Sequence, residues 1–168
     1  MITAKNLAAL GLLLAAAVML SWLESLLPPP VPSVPGIKLG LANLPVVLLL
    51  YSERRFPRFV LNALTLSIAR VLIVGFMFTG LFNVVYSLSG AVVSFFVMLL
   101  CKLTKKFSVI GVSVAGGTAH NLAQLMIAVA VMSEPRLMSL YPVLIVSGIA
   151  AGFIIGVVAR LVDLILYC

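Results

Sequence analysis

The stretch FVLNALTLSIARVLIVGFMFTG, residues 59–80, decides how this chain folds. Roughly 20 consecutive apolar residues cross the hydrocarbon core of a bilayer as a helix. The run is continuously apolar rather than alternating, which favours a helical span over a barrel strand. Its single charge, Arg70, lies near the middle, where an ionisable side chain costs about 3 kcal/mol on insertion scales and is expected to face a cavity or a partner rather than lipid. A second run of this kind, Ser108–Met132, carries His120, the only histidine, near its centre. Two ionisable groups at similar depth on different helices predict a polar pocket inside the membrane, with a small molecule bound there.

The remainder of the chain is of the same character. Of its 168 residues 64% are hydrophobic and 9% charged, with a mean hydropathy of +1.31. A soluble domain of that size cannot keep so much apolar surface from water. The expected fold is therefore an all-α integral membrane protein, one domain over residues 1–168 with six transmembrane helices. The spans are placed at 6–27, 39–51, 59–80, 82–101, 108–132 and 141–165. The second is short and contains Pro45. No cleavable signal peptide is expected, because the first apolar run is span-length and leads into prolines rather than a small-residue cleavage site.

The net charge of +7 does not point to nucleic acid, because the basic residues form short clusters between spans. Lys5, Arg54, Arg55, Arg58, Lys102, Lys105, Lys106 and Arg160 fall on one side, and Lys38 and Arg136 on the other. The positive-inside rule then places both termini in the cytoplasm of a multi-pass protein of the cell membrane. Cys101 and Cys168 fall at span ends on that side, where a structural disulfide is not expected.

Three segments carry the candidate chemistry. The fifth span contains Ser113-Val114-Ala115-Gly116-Gly117-Thr118-Ala119-His120-Asn121-Leu122-Ala123-Gln124. Gly111, Ala115 and Ala119 are spaced for close approach of a neighbouring helix, and Gly116, His120 and Gln124 form a second stripe. His120, Asn121 and Gln124 are candidates for ligand contact, with interhelical hydrogen bonding as the alternative, above all for Thr118 and Asn121. Around the second span, Lys38 and Asn43 add a charge at the rim and an amide deeper in. Lys38, Arg70 and His120 together suggest a positive, outward-facing funnel for a carboxylate, phosphate or diphosphate. Acidic partners for Arg70 are scarce, with four acidic residues in the chain, Glu24, Glu53, Glu134 and Asp163. The accounts that stay open are a guanidinium awaiting an anionic ligand, a structural Arg70–Glu24 pair, or snorkelling toward backbone carbonyls. The proline-rich stretch from Leu27 to Gly36 reads as a stiff, extended strap, either a linker or a lid over the pocket.

No Gly-x-x-x-x-Gly-Lys phosphate loop is present, and one aspartate cannot build an Asp-rich magnesium motif. Neither catalysis nor a cofactor or metal site is expected. In the first span, Ala4, Ala8, Gly11 and Ala15 form a small-residue face suited to close helix packing, within the chain or against a partner.

The segments Pro28-Pro29-Pro30…Pro35-Gly36-Ile37-Lys38-Leu39-Gly40-Leu41-Ala42-Asn43-Leu44 and Gly111-Val112-Ser113-Val114-Ala115-Gly116…Ala119-His120-Asn121-Leu122…Gln124 resemble the Gx transporter family, whose members often carry the label "heptaprenyl diphosphate synthase component I". The resemblance covers essentially the whole chain. The family is similar to the S-components of energy-coupling factor (ECF) transporters, six-helix proteins that capture a micronutrient from outside. The resemblance implies two kinds of protein partner, a transmembrane coupling subunit docked on Ala4, Ala8, Gly11 and Ala15, and cytoplasmic ATPases. The proline strap would then cover the pocket. The reading is a substrate-binding subunit for a small anionic or polar molecule. The alternative is a non-catalytic membrane accessory subunit of polyprenyl diphosphate or quinone biosynthesis.

Overall fold

The computed structural model describes residues 4–26, 40–52 and 58–167, and every regular element among them is helical. Helix α1 runs Ala4–Leu26. A 3-10 turn at Leu41–Asn43 leads into the short α2, Leu44–Ser52. Helix α3, Arg58–Val74, ends in a π-helical turn at Gly75–Thr79, and α4, Gly80–Leu103, follows at once. Gly80 makes that reversal at φ 80°, a backbone conformation open to glycine and strained for other residues. Helix α5 is Val109–Met132, and a second 3-10 turn at Pro135–Leu140 opens α6, Tyr141–Tyr167. Ser108 caps α5 by accepting from the N–H of Gly111 at 3.2 Å.

Five of the described helices are long and apolar enough to cross a membrane, as in a multi-pass membrane protein. The second expected span, the short run at 39–51, is not among them, so five of the six expected spans have that length. The apolar segment there, Leu41–Tyr51, is about 16 Å long at 1.5 Å per residue, half of a ~30 Å hydrocarbon core. Pro45 lies in the first turn of α2, where its missing N–H has no intrahelical acceptor to lose. The proline strap and Lys38 lie outside the described residues.

Burial explains how so short a helix holds its place. Val46, Val47, Leu49 and Leu50 of α2 are buried in one cluster with Ala17 of α1, Ala63 and Leu66 of α3, Phe95 and Met98 of α4, Val112 of α5, and Ile155 and Ala159 of α6. Every helix contributes, with α2 as the plug. Lys102 of α4 donates to the carbonyl of Leu50 and lies 5.2 Å from the ring of Tyr51, holding the C-terminal end of that plug. Leu12, Leu81, Val146 and Phe153 point away from the core and present an apolar exterior to lipid.

The closest helix pair is α5 with α6, and its seam is built on glycines of both helices. A Cβ on Gly117 would lie 2.5 Å from the Gly148 carbonyl, one on Gly152 2.6 Å from that of Ser113, and one on Gly156 2.7 Å from the Ile110 Cα. Glycines at 148, 152 and 156 thus form the face on which the α5 backbone rests. Gly111 meets only side chains of its own helix start, Phe107 and Ser108.

Candidate functional site

The polar residues of four segments meet in one string beside the plug. Ser21 and Glu24 lie one turn apart on the inward face of α1, and both are buried. Arg70, 4% exposed, reaches them from α3. Its Nη1 donates to Ser21 Oγ at 3.1 Å and its Nη2 to Asn43 Oδ1 at 2.7 Å. Asn43, in the 3-10 turn before α2, passes the string on by donating from Nδ2 to Ser94 Oγ of α4 at 3.3 Å. A guanidinium inside a bundle needs its donors met, and this string meets part of them.

Glu24 supplies the opposite charge. Its Oε1 accepts from the backbone N–H of Gly40, and from that of Leu41 at 3.4 Å. Those N–H groups open a 3-10 turn and lack partners within it, so the carboxylate caps that turn from another helix. Gly40 takes φ 84°, which lets the chain bend over His120.

His120 enters from α5, 3% exposed, and its imidazole fits between two glycines. A Cβ on Gly90 of α4 would stand 2.7 Å from His120 Cε1 and 2.8 Å from Nδ1, and a Cβ on Gly40 3.3 Å from Cδ2. Side chains at either position would displace the ring.

These groups enclose a small cavity lined by Ser21, Glu24, Gly40, Arg70, Val71, Val74, Gly75, Ser87 and His120. Its free volume, about 10 Å³, is that of roughly one water. Arg70 Nε and Ser87 Oγ, both buried, meet no hydrogen-bond partner among the described residues. The site is thus polar, doubly charged and nearly closed. A larger groove of about 380 Å³ lies between α1 and α3, lined by Leu7, Leu10, Gly11, Leu14, Asn62, Thr65, Leu66 and Ala69. It has no charged group and little polar surface, and so offers lipid-like contact only.

The structure brings together Arg70, Asn43 and His120 of the sequence-derived candidates, with Asn43 touching Arg70 rather than lining the cavity. Asn121 is placed elsewhere. Its Nδ2 donates to the Leu144 carbonyl at 2.9 Å and to Ser147 Oγ at 3.0 Å, tying α5 to α6. Thr118 bonds within its own helix, to the carbonyls of Val114 and Ala115. Gln124 is fully buried one turn beyond His120, outside the lining. Sequence reading passed over Ser21, Ser87, Gly90 and Ser94. The signal was present on α4, where Ser87, Gly90 and Ser94 make a small, polar stripe at helical spacing in an otherwise large and apolar helix.

Of the small-residue face on α1, Ala8, Gly11 and Ala15 are exposed, and a Cβ on Gly11 would meet nothing within 4 Å. Ala4 lies in the first turn of α1. The face is turned away from the core.

No curated protein and no solved structure matches the chain. Residues 13–162 match the model of a family described as heptaprenyl diphosphate synthase component I. That match runs from the third turn of α1 nearly to the end of α6, and the cavity residues of α1, α3, α4 and α5 all fall inside it, so the chain belongs to the heptaprenyl diphosphate synthase component I family.

Proposed function

We propose that the protein is the substrate-binding membrane subunit of an ECF-type uptake transporter, similar to an S-component. The observation that carries the reading is the buried cavity in which Arg70, Glu24 and His120 meet inside an apolar bundle. Charged groups within a membrane protein mark a binding or conduction site by default. The ligand is a small molecule with an anionic or polar group directed at Arg70, and Lys38 would stand on its route of entry. Both termini face the cytoplasm, so the Glu24 end of the bundle and the proline strap face outward at the cell membrane. The outward-turned face of Ala8, Gly11 and Ala15, continued through Ala4, docks a transmembrane coupling subunit, which passes on the work of cytoplasmic ATPases. No reaction is assigned to the chain. With four acidic residues in all, it lacks the carboxylate cluster that a magnesium-bound diphosphate requires.

The test is mass spectrometry of small molecules retained by the detergent-purified protein, with Arg70→Lys and Arg70→Ala alongside. A near-stoichiometric, water-soluble compound, lost from both variants, is the expected result. A compound retained equally by all three proteins would remove Arg70 from the site.

The family description favours a second reading, a non-catalytic accessory subunit of polyprenyl diphosphate synthesis. A prenyl diphosphate found in the same extract would decide for it.

A further inference from the structure

Two polar side chains that line the cavity, on different helices, have hydrogen-bonding capacity left over. Arg70 of α3 is 4% exposed and Ser87 of α4 9%. The Nη groups of Arg70 are taken up by Ser21 and Asn43, but its Nε, which can only donate, meets no partner among the described residues. The buried Ser87 hydroxyl meets none either. A donor left unmet inside an apolar bundle is costly, and more so on a charged group. The size of the cavity limits what can meet these two. Its free volume, about 10 Å³, is close to the roughly 10–15 Å³ that a single water needs. Water is therefore the occupant that fits the walls as they stand. Its chemistry fits too, since its oxygen accepts from Arg70 Nε–H and it can give to or accept from a hydroxyl that turns to suit. Two polar partners are enough to hold a water in a protein interior.

We propose that the cavity binds one structural water, which links Arg70 Nε to Ser87 Oγ. Such a bridge is nearly as favourable as a direct hydrogen bond. It extends the hold of Arg70 to another helix. Ser21 of α1 and Asn43 before α2 are reached directly, and α4 through the water, beside the existing route from Asn43 to Ser94. It also gives a task to Ser87, a buried hydroxyl in a mainly apolar helix. The water belongs to the folded chain itself, whether or not the cavity also receives a ligand.

The experiment is solid-state NMR of the full chain in lipid bilayers, with the arginine side-chain nitrogens labelled and magnetisation transferred from water. The Arg70 signal is the Nε resonance that disappears in Arg70→Lys. Transfer from water to Arg70 Nε–H is the expected result. Its absence, in a sample where the exposed side chain of Arg136 shows transfer, overturns the proposal. Two variants give a second reading by thermal denaturation. Ser87→Ala removes the hydroxyl and leaves room for the water, whereas Ser87→Val puts a methyl group into that room. In a hydrated site Ser87→Val melts several degrees below Ser87→Ala and loses the transfer, because Arg70 Nε is then left dry. In a dry site Ser87→Val melts higher, because filling a void restores packing, and that order overturns the proposal. Should neither variant fold, the measurement on the wild-type chain decides alone.

Discussion

Arg70 shows how one residue serves fold and site together. Its two Nη groups reach Ser21 on α1 and Asn43 before α2, so it ties three segments while its Nε faces the cavity. Arg70→Ala should therefore cost stability as well as binding, about 3–5 kcal/mol, because Ser21 and Asn43 lose a buried charged donor and the cavity loses its positive charge beside Glu24. Arg70→Lys keeps the charge but not the planar fork. It is expected to stay folded in a detergent melt and to lose at least about tenfold in ligand affinity, and a wild-type affinity would contradict the placement. Gly90→Ala tests His120 without touching it. The added methyl would overlap the imidazole at 2.7 Å, so the ring must leave its slot. Ligand binding should drop sharply for a stability cost of about 1–3 kcal/mol, read from titration and melting of the same sample. Arg70 and His120 were legible in the sequence because charge at mid-span is rare. Gly90 belongs to a legible stripe with Ser87 and Ser94, but its spacing gives no hint of which side chain it admits.

Among the elements, the contrast between two glycine faces is informative. Both the α1 stripe of Ala8, Gly11 and Ala15 and the α6 series of Gly148, Gly152 and Gly156 have the spacing that permits close helix contact. Among the described residues, the second makes that contact, and a Cβ on Gly11 of the first meets nothing within 4 Å. Gly152→Leu should therefore separate α5 from α6 and lower the melting temperature by many degrees, since the atoms in the way are backbone of Ser113 and Val114. Gly11→Leu should leave the melt nearly unchanged, because a Cβ there meets nothing within 4 Å and the rest of the side chain has the open groove beside α3 to occupy. Its effect is expected on co-purification with a coupling subunit, and equal destabilisation by the two variants would show that α1 packs differently. The helix ends were readable to within a few residues from the apolar runs. Residues 39–51 were harder. A short apolar stretch reads as a partial span or as a core helix, and only its burial by all the other helices identifies it as a plug.

For the molecule as a whole, orientation is the quantity that charge bias predicts. With Cys101 and Cys168 replaced, a single cysteine at Arg136 should react with an impermeant maleimide in intact cells, and one at Lys105 only after permeabilisation. The reverse pattern would turn the bundle over and put the Glu24 end on the cytoplasmic side. The overall class was settled by composition, because a chain so apolar can satisfy its backbone in a bilayer only through helices or a closed barrel, and its runs do not alternate. The five long helices lie on apolar runs of span length, whereas the short α2 was placed only by the fold. What composition did not determine was which polar residues meet. Glu24 stands 46 positions before Arg70, and His120 50 positions after it. Whether three such groups share a cavity depends on the rotation of each helix about its axis. That rotation is decided by packing: the α6 glycines seat α5, and Gly40 and Gly90 make room for the ring. The sequence by itself thus determined a helical membrane protein with charges that demanded an explanation. The tertiary structure alone decided that Glu24, Arg70 and His120 explain one another, because close approach of backbones is a property of pairs of helices and not of either one.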